Sequence, residues 1–209
     1  VLGFRRPELL ESRLKQLSAF PGIPIHVYID RDVINGDANN EAFKSIEYRF
    51  SDLEITWTYR EENLGIADNL LFSVDEVLYD FQSCIVIEDD VSISSRPFRS
   101  LMRKLRSPLP LDVFTVGLFS GLPKPVFWRI GGNWNAWRKT PYFSAWGWGV
   151  QREMWFQFRN ATMNEKWATE GLIAKHWINM QIEGRESWEY RFGKLRENPR
   201  FTWDYQIQY

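Results

Sequence analysis

The sequence predicts an α/β fold in which a mostly parallel sheet is flanked by helices, and three observations support this prediction. Throughout the first half of the chain, short apolar or alternating segments typical of strands are separated by segments with helical spacing of apolar residues. Strands separated by helices are the pattern of βαβ units, which build parallel sheets. Two of these strands end in acidic residues, at Asp30 and at Glu88–Asp90. Ligands of parallel sheets bind beyond the carboxyl ends of the strands, so both positions are candidates for a functional site.

The predicted elements of the first half follow one another in regular order. The segment "VLGF" is a short strand, and Pro7 suits the start of a helix whose leucines recur at helical spacing. The strand "IHVYID" comes next, then a helix through Phe43, Ile46 and Phe50, and then the alternating strand "EITWTY". Another helix begins near Gly65, and the strand "SCIVIEDDV" follows it.

The second half of the chain is rich in tryptophan. Ten of the eleven tryptophans lie from Trp128 onward. The segments "VFTVGLFSG" and "YFSAWGWGV" are predicted strands, a loop rich in glycine and aromatic residues lies between them, and "QREMWFQF" is a predicted helix. Because neither an internal repeat nor a low-complexity linker divides the chain, we expect one domain over residues 1–209 with two functionally different halves, 1–120 and 121–209.

Composition argues against several kinds of partner. The 209 residues carry a formal net charge of −1, so no overall basic excess favours a nucleic-acid polymer or an anionic membrane. No apolar run reaches the length of a membrane span, so no transmembrane segment is expected. Cys84 is the single cysteine, which excludes an internal disulfide and fits a reducing compartment. We therefore expect a cytoplasmic protein, with peripheral attachment to the inner membrane face as an alternative.

Three adjacent carboxylates, Glu88, Asp89 and Asp90, follow an apolar strand. Like charges so close repel one another unless a positive group lies among them. A carboxylate at a strand end can bind a hard divalent cation, whose other ligands are waters and substrate phosphates, so one or two protein carboxylates suffice. The alternative is an acidic loop that caps the helix beginning near Arg96.

The segment "IVIEDDVSIS" resembles the acidic motif of GT-A glycosyltransferases, in the Glu-Asp-Asp form of the N-acetylglucosaminyltransferase I family and related bacterial sugar transferases. Further segments resemble that family in the same order, namely "VLGFRRPELLESRLKQL", "IHVYID", "ENLGIADNLLFSVDEVL", "YFSAWGWGVQREMW" and "FTWDYQIQY". The resemblance implies a GT-A (Rossmann-like) fold. It also implies transfer of a sugar from a nucleotide-diphosphate sugar to a glycan or glycoconjugate acceptor, with inversion of configuration. The expected donor is a UDP-sugar.

The resemblance implies a role for each matching residue. Asp90 would bind a divalent cation, Mn²⁺ or Mg²⁺, that bridges the donor diphosphate, and Asp204 would be the catalytic base. Residues 1–120 would bind the nucleotide sugar, and residues 121–209 would bind the acceptor and carry the base. The expected donor-binding residues are Arg6, Asp30, Asn63, Gly65, Glu88 and Asp89.

Several tryptophans of the second half are candidates for sugar binding. An aromatic face beside polar side chains suits a sugar ring, which has an apolar face and a polar rim. Packing in the core is the alternative for the same side chains. The predicted acceptor or sugar-binding residues, which lie beside glycines in or near loops, are Trp134, Trp137, Trp146 and Trp148.

Other functions remain open from the sequence. A haloacid-dehalogenase-like, Mg²⁺-dependent phosphatase would use Asp30 and Asp32, although Ile34 stands where that family has Thr or Val. A sugar nucleotidyltransferase would carry a glycine-rich basic loop after the first strand, and "GFRRPELL" lacks it. A non-catalytic carbohydrate-binding domain would explain the tryptophans but would leave the acidic cluster without a purpose.

Overall fold

The computed structural model describes residues 1–118, 137, 139, 143–162, 193, 194 and 197. The helices in these residues are α1 (Pro7–Leu17), α2 (Gly36–Arg49), α3 (Gly65–Asp80), α4 (Ser95–Leu105) and α5 (Arg152–Thr162). The strands are β1 (Leu2–Gly3), β2 (Ile25–Ile29), β3 (Ile55–Tyr59), β4 (Ser83–Val86), β5 (Thr115–Gly117) and β6 (Trp148–Gln151).

The strands form two three-stranded sheets that meet at β1 and β4. In the first sheet the order is β1-β2-β3 and both pairs are parallel. In the second the order is β4-β6-β5, and β6 is antiparallel to both neighbours. A parallel bridge between Leu2 and Glu88 joins the two, with the amide of Leu2 donating to the carbonyl of Ile87 at 3.0 Å. The combined strand order is therefore 3-2-1-4-6-5.

Helices cover both faces of this sheet. On one face, α1 and α2 pack against Val27 and Ile29 of β2, and Phe98 of α4 belongs to the same cluster. On the other face, α3 and α5 pack against Val86 of β4 and Trp148 of β6. Strands buried on both faces read as continuous apolar runs, which explains the uninterrupted "CIVI" that leads to the acidic cluster.

The structure confirms the predicted α/β class and corrects two details of it. The sheet is parallel only in its first four strands, because β6 inserts antiparallel between β4 and β5. The segments "VFTVGLFSG" and "YFSAWGWGV" supply shorter strands than predicted, since β5 covers Thr115–Gly117 and β6 begins at Trp148. The more specific GT-A assignment stays a prediction, and much of the tryptophan-rich half lies outside the described residues.

None of the helices in the described residues combines the length and the apolar composition needed to cross a bilayer.

Gly149 permits the close packing of α4 on β6. A Cβ at this position would collide with Cδ1 of Leu105 and would lie 3.1 Å from the carbonyl oxygen of Cys84. Since the Cys84 contact is with the backbone of the paired strand, the neighbour cannot move aside without disturbing the sheet. The missing side chain at residue 149 therefore sets how near α4 approaches.

We expect Gly149→Ala to lower the free energy of unfolding by about 1–3 kcal/mol, because overpacking forces the surrounding backbone and rotamers to shift. Gly36→Ala is the matched control, since its Cβ would meet only Nε of Arg31 at 3.9 Å and residue 36 opens α2. Denaturant unfolding of both variants checks this, and a Gly149→Ala protein as stable as Gly36→Ala would contradict it.

Candidate functional site

The candidate site lies where the strand order reverses. The chain adds β2 and β3 on one side of β1 and then returns to place β4 on the other side. At such a switch point the loops that follow the two central strands diverge and leave a crevice. The loop after β1 carries Arg5 and Arg6, and the loop after β4 carries Glu88, Asp89 and Asp90.

Arg6 forms ion pairs with two carboxylates of the acidic cluster, Asp89 and Asp90. Its Nη2 lies 2.5 Å from Oδ1 of Asp89, its Nε lies 3.3 Å from Oδ2 of the same carboxylate, and its Nη1 lies 3.0 Å from Oδ2 of Asp90. The Asp89 side chain is only 3% exposed, whereas those of Arg6 and Asp90 are both 47% exposed. One guanidinium therefore joins a buried carboxylate to a half-exposed one.

The electrostatics of this triad follow from burial. Burial raises the pKa of Asp89, the positive charge of Arg6 opposes that rise, and the neighbouring Asp90 adds to it. Burial acts to lower the pKa of Arg6, but the two carboxylates outweigh it and raise the pKa. Arg6 thus stays charged and pairs with both Asp89 and Asp90.

Two polar side chains of α1 hold the loop that follows the acidic cluster. Nη1 of Arg13 donates to the carbonyl of Val91 at 3.0 Å and to Oε1 of Gln16 at 2.6 Å. The same Oε1 accepts from the amide of Ile93 at 2.8 Å. Arg13 is 6% exposed and was not predicted from the sequence. Its position at helical spacing among the buried leucines of α1 would have indicated that it faces the interior.

Asp30 positions the start of α3. Its carboxylate accepts hydrogen bonds of 2.9 Å from the amides of both Leu64 and Gly65, and one of 3.0 Å from the amide of Arg31. Burial raises its pKa while these amides lower it. Gly65 has a φ of +73°, which a residue with a side chain rarely adopts. Asp30 and Gly65, which were both predicted to bind the donor, therefore shape the start of α3 in this structure.

Two further contacts tie the loops at this edge together. Nδ2 of Asn63 donates to the carbonyl of Arg31 at 2.6 Å, which links the loop after β3 to the loop after β2. Arg5 donates to both oxygens of Asp32, at 2.9 and 2.7 Å, which links the loops after β1 and β2. This pairing lowers the pKa of Asp32 to about 2. The predicted residues Arg6, Asp30, Asn63, Gly65, Glu88, Asp89 and Asp90 therefore lie along one edge of the sheet.

An open pocket of about 450 Å³ adjoins the acidic cluster. Its lining combines a carboxylate, a hydroxyl, apolar side chains and an indole, contributed by Asp90, Val91, Ser92, Leu118 and Trp146. Trp146 is 58% exposed. The structure thus brings two predicted site residues from distant parts of the sequence, Asp90 and Trp146, to one cavity.

The tryptophan predictions have mixed outcomes. Trp148 has no exposed surface, and its ring lies 6.1 Å from that of Trp155 and 5.3 Å from that of Phe143, so its prediction as a sugar-binding residue is wrong. It faces inward because strand positions alternate and the β6 face that carries Trp148 packs on α3 and α5. Trp137 is 41% exposed. Trp134 and the predicted base Asp204 lie outside the described residues.

The donor set fits a divalent cation only if a substrate supplies further ligands. Within the described ranges, no three His, Cys, Asp or Glu side chains converge as a metal site. Asp90 is half exposed on the pocket wall, and Arg6 contacts one of its two oxygens. A magnesium-like ion held by one carboxylate, waters and phosphates suits that arrangement.

No family model, curated protein or solved structure matches this chain. The geometry of the site is therefore the basis on which a function can be inferred.

We expect the Arg5–Asp32 contact to make stability pH-dependent in acid. Because the pKa of Asp32 is about 2 in the folded protein and about 3.9 in an unfolded chain, its stabilising contribution is complete above about pH 4 and is lost as the pH falls towards 2. Asp32→Asn should lower stability at pH 6 and flatten this part of the profile.

The measurement is urea unfolding of both proteins from pH 6 to pH 2. The difference between the two curves isolates Asp32 from Asp30 and Asp89, whose pKa values are raised and whose contributions have the opposite sign. A difference that stays constant over this range would refute the linkage.

Proposed function

We propose that this protein is a metal-dependent glycosyltransferase that uses a nucleotide-diphosphate sugar. The observation that carries the proposal is the pocket in which the half-exposed Asp90 and the exposed Trp146 share one wall at the switch point of the sheet. A carboxylate that can bind a cation and an indole that can stack on a sugar ring line the same pocket, and this combination suits a nucleotide-sugar donor.

In this proposal Asp90 would hold Mn²⁺ or Mg²⁺ together with the donor diphosphate, and the cation would supply positive charge that favours departure of the phosphate. Arg6 keeps Asp89 neutralised beneath the site and reaches the outer edge of the cluster, where a phosphate oxygen can accept from the guanidinium. Ser92 and Trp146 line the remaining wall for the transferred sugar or its acceptor. The base is proposed to be Asp204, which takes the proton of the attacking acceptor hydroxyl.

A phosphatase of the haloacid-dehalogenase type is less well supported. Its nucleophile would be Asp30, which is 4% exposed and accepts three backbone hydrogen bonds. Asp32, the second aspartate of that motif, is held by Arg5 through both oxygens. A nucleophile must reach the phosphorus atom, and these contacts keep both carboxylates occupied.

A non-catalytic carbohydrate-binding domain is the second candidate. The exposed rings of Trp137 and Trp146 support it. It leaves the compensated acidic cluster at the switch point without a role, so we rank it below the transferase. Binding of a glycan with no turnover of any nucleotide sugar would favour it.

We expect UDP to stabilise the protein only when Mn²⁺ or Mg²⁺ is present. At a ligand concentration about 100 times Kd, mass action adds about 2.7 kcal/mol to the free energy of unfolding, which raises the melting temperature measurably. Asp90→Asn should remove most of this effect, because the amide is a poorer cation ligand. Thermal-shift measurements with and without EDTA check it.

Asp52→Asn is the matched control, since it removes one exposed carboxylate in a loop away from the site. Equal stabilisation by UDP in EDTA, or equal stabilisation of Asp90→Asn and the wild type, would remove the metal role from the proposal. Hydrolysis of simple phosphate esters that is lost in Asp30→Asn would instead support the phosphatase.

For Asp204→Asn we expect kcat to fall by about 10²–10⁴-fold, the usual contribution of general-base catalysis, with metal-dependent UDP binding unchanged. Transfer rates and melting temperatures are measured side by side. Normal turnover would show that the base is another residue, and a product that keeps the donor's anomeric configuration would show that the reaction is not inverting.

A further inference from the structure

The outer face of α4 carries a stripe of arginines. Arg96, Arg99, Arg103 and Arg106 recur at spacings of three, four and three residues, so they lie on one side of the helix, and all four are exposed. The opposite side is buried through Phe98, Leu101 and Leu105. At about 1.5 Å per residue the stripe extends over roughly 15 Å. We call these four residues the arginine stripe.

The arginine stripe differs from the other cations in the described part of the chain. Every other lysine or arginine there, apart from Lys104 of the same helix, donates to a carboxylate or to a backbone oxygen. Of the four stripe residues, only Arg99 makes a specific contact, a cation–π contact 5.0 Å above the ring of Phe20. Residues 95–106 contain five cations and no acid, in a chain whose net charge is −1.

The turn that follows α4 in the sequence carries an exposed apolar side chain. Leu111 is 83% exposed. Gln151 fixes the preceding turn to β6, since its Nε2 donates to the carbonyls of Leu105 and Ser107 at 3.1 and 2.9 Å and its Oε1 accepts from the amide of Leu109 at 3.0 Å. These bonds hold residues 105–109, which lead from the end of α4 to Leu111, against β6.

We propose that the arginine stripe and Leu111 form a docking surface for an anionic, phosphate-bearing lipid bilayer. Guanidinium groups bind phosphate oxygens through paired hydrogen bonds, and a row of them on a rigid helix matches a surface of many phosphates. Leu111 enters the headgroup region, where burial of an apolar side chain is favourable; a soluble polyanion gives it no such environment. The buried side of α4 stays in the core, so the helix binds on the surface and does not insert.

This surface goes beyond the proposed function and does not depend on it. Its position has one consequence for that function: α4 begins directly after the loop of the acidic cluster, so docking would bring the pocket to the membrane. Because the experiment measures binding to vesicles and not transfer, either inference can fail while the other holds.

The test is co-sedimentation with vesicles of 30% phosphatidylglycerol in phosphatidylcholine and with vesicles of pure phosphatidylcholine, in about 0.1 M salt. The wild type should bind the anionic vesicles and leave the neutral ones. Each basic residue near an anionic surface contributes about a factor of five, so the triple variant Arg96→Gln, Arg103→Gln, Arg106→Gln should bind about 100-fold more weakly. Arg99 is left in place because it packs on Phe20.

The matched control removes the same charge from α1 and α2, through Lys15→Gln, Lys44→Gln and Arg49→Gln, which take part in exposed ion pairs. It should bind anionic vesicles within a few-fold of the wild type. No binding by the wild type, or equal losses in the two triple variants, would overturn the proposal.

Leu111→Ser separates a bilayer from a soluble polyanion. We expect it to weaken vesicle binding about fivefold, from the loss of partial apolar burial, and to leave binding of inorganic polyphosphate unchanged. Tight polyphosphate binding combined with vesicle binding that does not change in Leu111→Ser would assign the surface to a soluble polyanion and overturn the bilayer. Circular dichroism of each variant confirms that the fold is retained.

Discussion

The buried carboxylate of Asp89 imposes the constraint on which the arrangement of this site depends. An uncompensated charge in a protein interior costs several kcal/mol, so the chain must bring a cation to it. Arg6 does so across 83 residues of sequence, and it can reach only because β1 and the end of β4 lie side by side. The ion pair can therefore form only in a fold that places β1 beside β4. In turn, the pair holds the loops after these two strands together. Arg13 and Gln16 extend the same support to the loop that leads into α4.

Much of the fold could be read from the sequence because its signals are local. The helices α1, α2, α3 and α5 and the strands β2 and β3 match the predicted segments closely, since each depends on the periodicity of its own residues. The antiparallel insertion of β6 could not be read in this way. It depends on pairing between β4 and a strand more than sixty residues later, and on the close approach that Gly149 allows. Strand ends were also overestimated, because apolar residues continue past the last paired position.

The sequence predicted which residues would lie near one another, but not the contacts that each of them makes. Acidic residues at strand ends were expected at one edge of the sheet, because parallel strands end on the same side, and the structure places them there. The partner of the acidic cluster was expected to be a metal ion that binds with the substrate, and the structure shows Arg6 paired with Asp89 and Asp90. Asp30 serves the backbone of α3, a role that depends on where another loop passes. Trp148 was misassigned because glycines flank it, but Gly149 lies within β6 and permits close packing, and Trp148 itself is buried.

The junction of the two sheets at Leu2 and Glu88, here called the seam, has a consequence for the motions of the molecule. β2 and β3 share five register pairs, whereas β1 has two residues and meets the end of β4 at one bridge. Local opening follows the path with the fewest backbone hydrogen bonds, so the amide of Leu2 should exchange with solvent deuterium sooner than the amides in the middle of β2. The side chain of Arg6 adds a second link between these strands, because it joins the loop after β1 to Asp89 and Asp90 in the loop after β4. A ligand that binds Arg6 and breaks its contacts with the carboxylates would weaken the link between the two sheets. The amide of Leu2 would then exchange faster, so its exchange rate would show whether the crevice holds a ligand.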